Sequence, residues 1–194
     1  MKSLVAEVVE CLLAELEGFM PSLASRGATV CNARPAGERV PTLVQEHFVA
    51  ASALARQERP AVNGVLDALE ALVPQLAWHK RPSDGSDKGF DDGHFNAIIA
   101  GNAGLVSLGP VLMGVSVMAP GVTYPTHRHP PDECYIALCP GQWWREGQGW
   151  WAPGIGNLVH NPGNQLHAMR SGSAPHLSLW VLTGKGAAGF ASGS

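Results

Sequence analysis

Apolar residues at helical spacing open the chain: Val5, Val8, Val9, Leu12, Leu13, Leu16 and Phe19, with Glu7, Glu10 and Glu17 elsewhere on the wheel. The pattern predicts an amphipathic helix closed by Pro21. A second helix is expected over 42–56, where Thr42 followed by Gln45 and Glu46 reads as a start signal. A third follows Pro60 and carries Val65, Leu66, Leu69, Leu72 and Val73 before Pro74. Residues 1–80 are thus expected to be a helical region whose apolar faces serve as a lid or an interface. A polar, glycine-rich connector over 81–93 follows it.

Beyond the connector the texture changes to short apolar runs separated by Gly, Pro and Asn. The runs are 94–99, 111–119, 133–139, 141–145, 157–160, 165–170 and 176–182. Many short strands with turn signals between them predict a sandwich or small barrel over 94–183. The small residues of 184–194 are expected to form a flexible tail.

With 194 residues, 45% of them hydrophobic and 15% charged, the chain can bury one sizeable core. A net charge of -3 without a Lys/Arg run excludes the electrostatic footprint of a nucleic-acid binder. No segment approaches a membrane span, and glutamates interrupt the apolar core that a secretory signal needs. Cys11, Cys31, Cys134 and Cys139 are scattered, which reads as reduced thiols in a cytoplasm. The expectation is a cytoplasmic monomer or homodimer with no nucleic-acid or membrane partner.

Chemistry concentrates in the stretch from Thr126 to Tyr135. His127 and His129 point the same way in an extended segment, and Glu133 and Tyr135 keep that parity unless Pro130-Pro131 shifts it. His167 answers from further along. Three imidazoles and a carboxylate, with no cysteine, suit a reactive first-row metal site better than a structural zinc. A lone His-x-His is uninformative, but the joint pattern with Glu133 and His167 is a metal site in outline. A small closed barrel would shield such a centre and admit substrate from one mouth.

The spacing from Gly121 through His127 and His129 to Glu133 is a glycine, five residues, His-x-His, three residues, then Glu. It matches the first cupin motif, and the spacing Gly156, Pro162, His167 matches the second. The chain therefore resembles a single-domain cupin, mainly β, a small barrel or jelly roll behind an α-helical N-terminal region. It departs from the motifs at Asn164, where glycine is usual, at Ser171, where asparagine is usual, and at Pro140-Gly141, one residue late.

Both tyrosines of the chain, Tyr124 and Tyr135, lie inside the first motif. Tyr135 shares the parity of the ligands, so its phenol should face the metal. A phenol with a pKa of about 10 is a poor base, but a divalent cation beside it favours the phenolate. With the helical N-terminal portion and the segment from Phe90 to Ala97, the chain resembles a DddQ-type dimethylsulfoniopropionate lyase, most specifically from about 90 to 182. That resemblance implies a metal held by His129, Glu133 and His167, with Tyr135 as ligand or base and His127 and Tyr124 as further active-site residues. It implies one divalent ion, zinc or iron(II), with manganese, cobalt or nickel also suited. The implied reaction is cleavage of a zwitterionic small molecule to dimethyl sulfide and acrylate by Tyr135-initiated β-elimination.

A sulfonium needs a partner that tolerates positive charge without a hydrogen bond, and an aromatic face supplies roughly 0.5–2 kcal/mol. Trp143, Trp144, Trp150, Trp151 and Trp180 are candidates, with one inward ring per adjacent pair. Trp180 is taken with Tyr124 and His127 as substrate-binding. His94 is placed near the mouth, His160 and His176 in structural roles, Cys134 facing away, and Asp91-Asp92 in a solvated turn. The alternatives are an iron(II) cupin dioxygenase and a non-enzymatic ligand-binding or sensor cupin.

Overall fold

The protein is described by a computed structural model over residues 4–20, 29–30, 39–184 and 186–187. Pro21, Cys31 and most of the expected tail lie outside these residues. Helix α1 (Leu4–Leu16) ends in a turn in which the N–H groups of Phe19 and Met20 both reach the Leu16 carbonyl. Helix α2 (Thr42–Glu58) runs two residues beyond its expected end. Thr42 is not its cap: Pro41 precedes the first turn with φ -58 and ψ 142, and no side chain caps the helix. The fixed φ of proline provides the extended entry instead. Val44, Phe48, Ala51 and Ala55 form its buried stripe. Helix α3 (Asn63–Leu72) buries Leu66, Leu69 and Leu72 and packs against α1, each leucine contributing about 1.5–3 kcal/mol.

The 81–93 connector is not wholly irregular. It contains a short helix, α4 (Lys88–Gly93), which Asp87 caps by accepting the Phe90 N–H at 3.1 Å. Asp91 and Asp92 are therefore helical, not a solvated turn: Asp91 accepts from the Ser83 hydroxyl, and Asp92 lies 3.7 Å from Lys80 Nζ.

The strands are β1 (Thr29–Val30), β2 (Trp78–His79), β3 (His94–Ala100), β4 (Val106–Ser107), β5 (Leu112–Met118), β6 (Thr123–His127), β7 (Asp132–Ala137), β8 (Gln142–Arg145), β9 (Gly149–Trp151), β10 (Leu158–Asn161), β11 (His167–Arg170) and β12 (His176–Thr183). The larger sheet runs β1-β4-β3-β5-β12-β7-β10, with β2 added on β3; the smaller runs β6-β11-β8-β9. Among the described pairs only β3 with β4 is parallel.

The core strands are buried on both sides, for different reasons. On one face of the larger sheet Ala97, Val115, Leu179 and Ile136 align across β3, β5, β12 and β7 and join the helices in one apolar cluster. Helix α2 lies against β5 and β12 there. The opposite face turns toward the smaller sheet and carries the chemistry. Its rungs are Asn96, Ser116, Ser178 and Ala137; then Ile98, Gly114, Trp180 and Tyr135; then Leu112, Leu182 and Glu133.

Candidate active site

The ten residues that suggested a metal site do not form one strand. β6 ends at His127, His129 lies in the following loop, and β7 begins at Asp132 in the other sheet. The Pro130-Pro131 step carries the chain across the sandwich, so the groups converge from two facing sheets rather than by alternation along one. Within β7 the alternation holds: Glu133 and Tyr135 face the inter-sheet space, while Cys134 packs into the helix-facing cluster.

β6 contains its own departure from regularity. His167 pairs with His127, but Met169 pairs with Tyr124, so β6 has one residue more than β11 over this interval. The bulge falls at Pro125-Thr126, where proline has no N–H to lose from the ladder. Its effect is to turn Tyr124 and His127 inward together, although they stand three positions apart.

Two of the three departures from the cupin motifs, Asn164 and Ser171, brace loops of the site. Asn164 has φ 64, the left-handed conformation that favours glycine and that asparagine tolerates, and its N–H holds the His129 carbonyl at 2.7 Å. Ser171 Oγ accepts the Val122 N–H at 2.8 Å and donates to the Ala119 carbonyl at 2.7 Å, bracing the turn into β6.

His127, His129, Glu133 and His167 each offer one ligand atom, and these atoms lie within 4.8 Å of one another. Each imidazole is oriented in the same way: Nδ1 meets a carbonyl two residues away, Pro125 for His127 at 2.9 Å, Pro131 for His129 at 3.0 Å and Gln165 for His167 at 2.8 Å. A carbonyl only accepts, so Nδ1 carries the proton and Nε2 turns its lone pair to the centre. His167 Nε2 is 3.0 Å from Glu133 Oε2, yet it is buried without a hydrogen-bond partner. An orphaned lone pair beside a carboxylate fits a cation. His129 Nε2 lies 3.1 Å from the same carboxylate oxygen.

The electrostatics of the carboxylate agree with that fit. Burial pushes the Glu133 carboxyl up, but His129 and His167 more than offset it and hold the group well below the usual carboxylate range. For His129 burial works downward, and the Glu133 carboxylate reverses it to a net rise. Burial, then the neighbouring His167 and Arg81, pull His127 down to about 3.

Beside this cluster is a cavity of about 210 Å³ lined by His129, Glu133, Tyr135, Tyr124, Met169 and Trp180, among others. Burial, followed by the Glu133 charge, pushes the Tyr135 phenol well above its ordinary value. Tyr124 is also raised by burial, but Arg81 and Asn96 oppose the rise.

The profile of the dimethylsulfoniopropionate (DMSP) lyase family matches residues 22–178. The chain belongs to the DMSP lyase family. Among solved structures, a chain from the crystal structures of the DMSP lyases RdDddP and RnDddQII superposes with a TM-score of 0.71 at 20% identity, covering 94% of this chain and 91% of that one. The DMSP lyase DddQ from Ruegeria pomeroyi superposes with a TM-score of 0.69 at 25% identity, covering 92% of this chain and 92% of that one. A cupin-2 domain from Rhodospirillum rubrum aligns over 58% of this chain and 72% of its own, at 16% identity and a TM-score of 0.47. No curated protein matches the sequence. The architecture is the cupin fold behind a helical N-terminal region, and the likeness is to the DddQ type.

In this DMSP lyase family member, Trp180 alone of the five tryptophan candidates lines the cavity. Trp143 is 1% exposed and packs edge-on against Tyr135. The side chains of Arg170 and Arg145 cover Trp150 and Trp151. His94 is 0% exposed, stacked on Phe90, and so not at the mouth. His176 is buried between Cys139 and Ser178, and His160 is exposed. Cys11, Cys134 and Cys139 are free thiols. Sequence reading missed Arg81, Asn96 and Ser116, which line the cavity. They come from the connector and from two neighbouring strands, and no local motif marks them. The Lys80-Arg81 pair at the start of the glycine-rich connector was the one available signal.

Proposed function

We propose that this chain is a metal-dependent carbon–sulfur lyase that cleaves DMSP to dimethyl sulfide and acrylate. The observation that supports the reading best is that two members of the three-histidine and carboxylate set, His129 and Glu133, line one cavity with two buried tyrosines. One divalent cation, zinc or iron(II) with manganese, cobalt or nickel also suited, would be held by His127, His129, Glu133 and His167 and would supply Lewis acidity toward the substrate carboxylate and positive charge beside the phenols.

The chain's own residues then divide the work. Tyr135, as phenolate, removes the proton on the carbon next to the carboxylate. The electron pair of that C–H bond becomes the new C=C bond, the C–S bond breaks, and the sulfide leaves neutral. Tyr135 returns its proton to solvent. Trp180, beside Leu112 and Leu182, offers the dimethylsulfonio group an aromatic and apolar wall. Closure between sheets keeps bulk water from the carbanionic centre.

A second reading assigns the base to Tyr124, because the Arg81 guanidinium and Asn96 offset part of the rise that burial imposes on its phenol, whereas the Tyr135 phenol is pushed well above its ordinary value. Elimination requires no oxidant, which separates both readings from a dioxygenase using the same ligands. Among the described residues no helix is long and apolar enough to cross a membrane; the setting we expect is the cytoplasm. Anaerobic incubation with DMSP and headspace detection of dimethyl sulfide tests the reading. Release without O₂ supports it; silence from protein loaded with each of the candidate metals overturns it.

A further inference from the structure

We propose that Arg81 is a second anchor for the substrate's carboxylate, acting beside the cation, and that it helps to fix which end of a zwitterion points to which end of the cavity. This deepens the lyase reading and rests on it for the identity of the substrate. The Arg81 guanidinium lies over the Tyr124 ring, 5.5 Å from its centroid, on the cavity wall. Among the described residues no carboxylate is within ion-pair distance of it. A half-buried guanidinium facing a ring and a neutral phenol has unused N–H donors, and their planar fork matches a carboxylate.

The main chain under Arg81 is fixed before any ligand arrives. Its N–H donates to His94 Nε2 at 2.8 Å, while His94 Nδ1 is held by the Phe90 carbonyl. The His94 ring stacks on Phe90 with centroids 3.7 Å apart and planes 6° from parallel. On either side, Lys80 pairs with Asp92 and Ser83 donates to Asp91. The arginine is therefore presented by a braced segment rather than a mobile one, which removes much of the ordering cost of binding.

The rest of the cavity is arranged to match. Asn96 and Ser116 lie next to each other on β3 and β5, the Ser116 hydroxyl donating to Asn96 Oδ1 at 2.6 Å. On the following rungs Leu112, Leu182 and Trp180 form an apolar stretch beside Tyr135 and Glu133. An onium group is repelled by the fixed arginine and accommodated by the indole and leucines; a carboxylate is the reverse. Short zwitterions with an onium at one end and a carboxylate at the other are the class this arrangement selects.

Arg81→Gln and Arg81→Lys, prepared with wild-type metal content, test the assignment by two readouts. In DMSP turnover, Arg81→Gln should raise KM by about 10- to 100-fold with a smaller change in kcat, and Arg81→Lys should recover part of it. In titrations followed by NMR, propionate should bind wild type at least about 10-fold more tightly than Arg81→Gln, while propionamide binds both alike. Equal propionate binding by wild type and both variants overturns the anchor, and so does a change confined to the pH–rate profile, which would mean that Arg81 only tunes Tyr124. The two readings separate cleanly. Arg81-dependent propionate binding without sulfide release leaves the anchor standing and removes the lyase; sulfide release with unaltered propionate binding does the opposite.

Discussion

Gly114 on β5 and Trp180 on β12 face each other in register, and the indole fills the space that a side chain at 114 would take. A Cβ there would stand 2.2 Å from Trp180 Cζ2 and 2.4 Å from the Ala97 carbonyl oxygen. The missing side chain is what allows the ring to lie flat as a cavity wall. Gly114→Ala should therefore displace Trp180, raise KM for DMSP, and destabilise the fold by about 1–3 kcal/mol through overpacking. Its metal content should not change. Urea unfolding, metal analysis and steady-state kinetics on one preparation check all three.

Removing the Tyr135 hydroxyl should separate chemistry from binding. Tyr135→Phe is expected to lower kcat by about 100- to 10,000-fold while the bound metal is retained. Tyr124→Phe is the control: a larger loss there than in Tyr135→Phe would transfer the base to Tyr124. Rapid-mix kinetics with metal quantification distinguishes the two.

Chelation should weaken the fold as well as stop turnover. A cation that binds only the folded chain adds about 2.7 kcal/mol at one hundred times its dissociation constant. Metal-free protein should thus melt at lower temperature, and titration with zinc or iron(II) should restore the transition. Glu133→Gln should remove most of this response, because the carboxylate is the one anionic ligand. A calorimetric scan with and without metal measures it.

His176 should make the metal-free fold sensitive to mild acid. Burial holds its pKa down at about 3 in the folded chain, against about 6.5 when unfolded. Between these values the unfolded chain binds the additional proton, so stability is full above pH 6.5 and falls as pH drops toward 3. The slope attributable to this group is up to about 1.4 kcal/mol per pH unit. Denaturant unfolding of metal-free wild type and His176→Gln at several pH values tests it; the variant should show the shallower slope.

How much of this could be read from the chain follows from what each segment packs against. Helices α1 to α3 and the strands of the larger sheet bury apolar faces, so their residues carry the period that betrays them. β6 was not among the expected strands because the inward side chains of Thr123–His127 face the site instead of a core. Alternation alone cannot place Tyr124 and His127 on one face; the bulge between them does. Asn164 and Ser171 looked like weak points of a motif. One supplies a positive φ and the other a brace, by other side chains than usual. Arg81 and Asn96 reach the cavity only through folding: a braced connector and a strand far from the histidines bring them there, and neighbours along the chain say nothing of that.

The three histidines lean on main-chain carbonyls two residues away, not on side chains. No substitution in the surrounding walls can delete those supports, since every residue type has a carbonyl. The candidate cation site is in this sense insulated from sequence drift, and the cavity beside it is free to change. A lineage built on this frame can exchange an arginine, a tryptophan or a glycine of the wall and so acquire a new substrate, with the centre that activates it inherited unaltered.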